Sequence, residues 1–91
     1  MKVYTLSHIA GGFLLSPVMK ATVSEIVGVL KYELSLVDGF EMSDKVAEAV
    51  RRNIAHSFKK QERPFTMVVK DKTDKKHVFR VDKHNIKIGV N

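Results

Sequence analysis

The chain has 91 residues, 44% hydrophobic and 29% charged, with a net charge of +6; that is enough for one domain with a real core and too little for a cleft between lobes. With no cysteine, disulfides, thiolate metal sites and cysteine nucleophiles are excluded, in keeping with a reducing cytoplasm. The charge is uneven: residues 1–50 hold four lysines against six acids, a balance of −2, and residues 51–91 hold twelve lysines and arginines against four acids, a balance of +8.

Residues 2–9, KVYTLSHI, are rich in β-formers and predict a first strand. Gly11-Gly12 ends it, and Phe13 to Leu15 reads as a short apolar connection. The uncharged run Ile9 to Met19 has only Lys2 before it, a Gly-Gly and a Pro inside it, and no small-x-small site after it. It is therefore not read as a signal peptide. Lys20, Glu25, Lys31 and Glu33 interrupt the longer apolar region too often for a membrane span. The sequence reads as soluble and cytoplasmic.

The first helix has two possible starts. Ser16-Pro17 offers an N-cap followed by proline at the first helical position, and Thr22-Val23-Ser24-Glu25 is a capping box. From either, the helix runs to about Val37, with Asp38-Gly39 as its stop. Met19, Val23, Ile26, Val27, Leu30, Leu34 and Val37 form its core stripe. Val18, Val29, Tyr32 and Leu36 form a second apolar stripe on the other side, which predicts a partner surface and a possible homodimer through this helix. Phe13, Leu14 and Leu15 folding back over that stripe is the competing structural explanation.

A second helix is expected from Ser43 as N-cap to about Gln61, before Pro64 stops it. Val46, Ala47, Val50, Ile54 and Phe58 are its expected buried face, with Arg52, His56, Lys59 and Lys60 grouped on the other side. FTMVVK (65–70) then predicts a strand, Asp71 to Lys76 a polar loop with Asx-type turns, HVFRVD (77–82) its hairpin partner, and Ile86, Ile88 and Val90 a last strand. The order is β-α-α-β-β-(β): an α+β domain, with a small antiparallel sheet and two helices on one face.

Two helices followed by a hairpin resemble the order of a winged helix-turn-helix. That resemblance implies a second helix in the major groove, with Arg52, Asn53, His56 and Lys60 toward bases and phosphates, and a wing bearing Lys70, Lys72, Lys75 and Lys76. The helices are longer than that fold normally uses, and a separate first helix is missing. The order also matches a KH domain, but Asp38-Gly39-Phe40-Glu41 lacks the GxxG loop and brings two acids where phosphate would lie.

No pair among His8, His56, His77 and His84 has HxH or HxxxH spacing, so no metal site is expected. His56 beside Ser57 lacks a third group and the geometry of a nucleophile pair, His77 and His84 read as solvated, and no cofactor motif is present. The function expected is therefore non-enzymatic. Arg51, Arg52, His56, Lys59, Lys60, Lys72, Lys75, Lys76 and Arg80 would dock on a nucleic-acid backbone, a duplex in preference to a single strand because exposed aromatics are few. Neutralising about four to six phosphates gives a log K against log salt slope near −4 to −5. The alternative is a protein-binding regulator that meets an acidic protein with the same basic surface and the apolar stripe, and the solvated outside of a small basic domain is the bland competitor to both.

Overall fold

The computed structural model describes residues 2–15, 17–39, 41–61 and 63–85. Its elements are β1 (Lys2–Ala10), β2 (Phe13–Leu14), β3 (Val18–Lys20), α1 (Val23–Asp38), α2 (Asp44–His56) continued by a π-helical turn (Ser57–Gln61), β4 (Phe65–Lys70) and β5 (Lys76–Asn85). The class is α+β, with two helices and an antiparallel sheet of five strands in the order β-β-β-α-α-β-β.

The segment read as a connection supplies two of those strands. Gly11 and Gly12, at φ of 57° and 82°, reverse the chain where side-chain-bearing residues are strained. Leu14 and Phe13 then pair with Ile9 and Ala10, and Val18 to Lys20 pair with Leu6 to Tyr4 further along the same edge of β1. Val18 and Met19 are thereby strand residues. They complete hydrogen bonds along an edge that β1 would otherwise leave open, and Val18 is not part of the helical stripe assigned to it.

The capping box decides the start of α1. Thr22 Oγ1 accepts the Glu25 amide at 3.2 Å and donates to Glu25 Oε1 at 2.9 Å. Gly39 closes the helix in the left-handed conformation, φ 62°, its amide donating to the Ser35 carbonyl. Ser43 caps α2 as expected, accepting the Val46 amide at 3.2 Å.

β5 is a central strand. It pairs with β1 from Lys2↔Asn85 to Ala10↔His77 and with β4 from Phe65↔Val81 to Lys70↔Lys76. The β4–β5 hairpin is therefore embedded in the sheet, unlike a free-standing wing, and only its tip projects. Leu6, Phe79 and Val81 point to the inner face, where α1 contributes Ile26, Val27, Leu30 and Leu34 and α2 contributes Val50 and Ile54. Val46, expected in that face, is largely exposed. α1 lies over β1, β3 and β5, and α2 packs against α1. The last strand expected at 86–90 falls outside the described residues.

Candidate functional site: two basic groups and a buried histidine pair

The cations at the end of α2 precede β4 and those at the hairpin tip follow it, so the two groups lie at opposite ends of that strand. Six residues at 3.3 Å each separate the two groups by about 20 Å. At the α2 end, the π turn underwinds the helix, so that each residue there turns through less than the α-helical step. The α-helical step of about 100° holds only as far as His56, so Lys59 and Lys60 do not keep the azimuths of a continuous α-helix. Within that turn the Phe58 ring packs against Tyr4, centroids 5.8 Å apart.

Not every cation is equally available. Arg51 grips Glu48 with Nε donating to Oε2 at 2.9 Å and Nη2 donating to Oε1, and Arg52 approaches the same carboxylate at 3.4 Å. These contacts, Arg51 first, hold the Glu48 carboxyl down at about 2. Arg80 binds Asp82 at 3.0 Å on the outer face of the sheet, and Lys70 lies 3.5 Å from Asp74. Three of the expected docking residues are thus tied to acids, Arg51 and Arg52 to an acid of the first half of the chain. His56, Lys59, Lys60, Lys75 and Lys76 are exposed and form no ion pair among the described residues; Lys72 is exposed at the tip.

Asp71 builds the tip. Its Oδ1 accepts from the Thr73 amide at 2.9 Å, the Thr73 hydroxyl at 2.7 Å and the Lys75 amide at 3.0 Å, the Asx-type turn expected there. Asp74 takes φ 64° within that turn. Lys75 folds back over the β1–β2 turn, so that a Cβ on Gly11 would lie 2.9 Å from Lys75 Cε.

His77 is the residue misread from sequence. It is 9% exposed, on the inner face, with Nε2 2.8 Å from Asp71 Oδ2 and Nδ1 2.9 Å from His8 Nε2. His8 stacks on Phe79 at 4.3 Å, and its Nδ1 lies 3.8 Å from Glu33 Oε2. Residues 8, 33, 71 and 77 show no local spacing. They meet because Ala10 pairs with His77 and α1 crosses β1 at Glu33; the one sequence signal was that His77 takes the inward parity of Phe79 and Val81. His84 is exposed as expected, with Nε2 3.0 Å from Thr5 Oγ1.

The helical stripe narrows to three residues. Val29 is half-buried against the core, and Tyr32 and Leu36 are 63% and 64% exposed. Phe13, Leu14 and Leu15 do not cover them and are themselves exposed. Gly28, Lys31, Tyr32, Ser35, Glu41 and Met42 line an open groove of about 470 Å³ beside them. Among the described residues no group of three or more metal-ligating side chains converges, and no helix is long and apolar enough to cross a membrane. No protein-family model matches the sequence, and comparisons with curated proteins and with solved structures return no match.

Proposed function

We propose that this is a small non-enzymatic, cytoplasmic nucleic-acid-binding domain that docks on a duplex backbone through two basic groups bracketing β4. One group is Lys59 and Lys60 with His56 beside them, and the other is Lys72, Lys75 and Lys76. The observation that carries the reading is that Lys59, Lys60, Lys75 and Lys76 are exposed with no carboxylate bound among the described residues. Arg51, Arg52 and Arg80 must first give up Glu48 or Asp82, so they contribute less. A separation of about 20 Å corresponds to about six phosphates along one strand, which makes a duplex backbone a suitable length of ligand.

Binding of a labelled duplex at several salt concentrations tests this. The wild type is expected to show a steep salt dependence, and Lys59→Gln/Lys60→Gln and Lys75→Gln/Lys76→Gln each to reduce the slope by about 2. Absence of salt-dependent binding would reject the reading.

A second reading, a regulator that binds protein or a second copy of itself, is favoured by the uncovered Tyr32 and Leu36 beside the groove. Light scattering on the wild type, Tyr32→Glu and Leu36→Glu distinguishes it: an assembly that both changes dissolve supports it, and a wild-type monomer removes the self-association.

A further inference from the structure

The two imidazoles in contact have a carboxylate at each outer end, and their hydrogens can be placed by elimination. An ionised carboxylate only accepts, so His77 Nε2 carries the hydrogen that Asp71 Oδ2 receives at 2.8 Å. In a neutral ring His77 Nδ1 is then a lone pair, and it accepts from His8 Nε2 at 2.9 Å. That leaves the lone pair of neutral His8 at Nδ1, a buried atom with no hydrogen-bond partner. Facing it at 3.8 Å is Glu33 Oε2, another acceptor. The missing element between them is a hydrogen.

We propose that this gap is a binding site for one proton: taken up at His8 Nδ1, it turns an unpartnered lone pair into an N–H paired in charge with Glu33, 3.8 Å away, and completes a chain Glu33–His8–His77–Asp71 from α1 to the hairpin tip. One hydrogen ion from solvent adds to one lone pair, and no other covalent bond changes. A hydrogen on His77 Nδ1 as well would set N–H against N–H across the 2.9 Å contact.

The charged groups facing the pair are Glu33 from α1 and Asp71 from the tip, with Lys75 over the adjacent Gly11 turn. From the sheet, Ala10 and Val69 flank His77 in register and Phe79 stacks on His8; none of these titrates. Burial opposes a charge on His8, the neighbouring His77 adds to that, and Glu33 offsets part of it. The site is therefore unprotonated at neutral pH and fills in mild acid. Asp71 holds the histidine with one oxygen and the Thr73 and Lys75 amides with the other, so proton uptake is felt in the loop that carries Lys72 and Lys75. The proton site itself does not depend on what docks at that loop.

Imidazole nitrogen shifts of the ¹⁵N-labelled wild type, followed from pH 8 into mild acid without nucleic acid, test the proposal. At pH 8 both rings are expected as Nε2–H tautomers. On acidification His8 Nδ1 gains its proton with a midpoint below 6.5, and the Thr73 and Lys75 amides shift with the same midpoint. Glu33→Gln should lower the His8 midpoint further. An Nδ1–H tautomer of His8 at pH 8, tip amides indifferent to the titration, or a midpoint unmoved in Glu33→Gln would overturn it. Should that variant not fold, the wild-type tautomers and tip amides decide alone.

Discussion

Asp71 accepts four hydrogen bonds with two oxygens, and Thr73 and His77, in that order of weight, hold its carboxyl well below the ordinary 3.8. His8 is lowered as well, for a different reason: burial keeps its ring neutral below the ordinary 6.5. Both signs make acid destabilising. A histidine whose folded-state proton affinity is lowered contributes stability that is fully present above about pH 6.5 and is lost as pH falls below it. A carboxylate with a lowered folded-state affinity contributes stability present above about pH 4 and lost as pH falls further. Urea midpoints measured against pH should therefore fall in two limbs. The upper limb should be absent in His8→Gln, whose side chain does not titrate, and the lower limb reduced in Asp71→Asn. A single limb in the wild type, confined to the carboxylate range, would contradict the assignment of His8.

The elements divide into those held by burial and those held by local chemistry. β5 is held by burial: Phe79 is fully enclosed between the His8 ring and the helices. Phe79→Ala should cost about 3–5 kcal/mol in urea unfolding, the range for deleting a buried aromatic side chain. α1 combines both, with a capping box, a left-handed glycine stop and four buried aliphatic residues. One position on it serves neither purpose. Gly28 sits mid-helix, with nothing within 4 Å of where a Cβ would stand. Gly28→Ala should stabilise the protein by about 0.5–1 kcal/mol, since it removes backbone entropy from the unfolded chain without a clash. Loss of stability in that variant would mean that something closes the groove beside Tyr32.

For the whole molecule the decisive quantity is the placement of the +8 balance of residues 51–91, more than its size. The fold places Lys59 and Lys60 at one end of β4 and Lys72, Lys75 and Lys76 at the other, while Glu48 engages both Arg51 and Arg52. Exposed ion pairs contribute little to stability, so Glu48→Gln should leave the urea midpoint almost unchanged. On the proposed function the same change releases two guanidinium groups near Lys59 and Lys60. Duplex affinity should then rise and the salt slope steepen by about 1 to 2. Unchanged affinity would place α2 outside the contact surface and leave the hairpin tip alone to carry it.

The sequence by itself determined what depends on neighbours along the chain. Thr22 and Ser43 as caps, Gly39 as a stop, the Asx turn at Asp71, and the inward parity of Phe79 and Val81 were all legible, because each is a hydrogen bond or a periodicity completed within a few residues. Tertiary structure decided the rest. Whether Val18 and Met19 belonged to a helix or a strand depended on the open edge of β1. The ties of Arg51 and Arg52 to Glu48, at i+3 and i+4 of one helix, were by contrast local. Above all, His8, Glu33, Asp71 and His77 are scattered over seventy positions. Only strand register and the crossing of α1 over β1 bring them together, and no local pattern encodes a contact of that range.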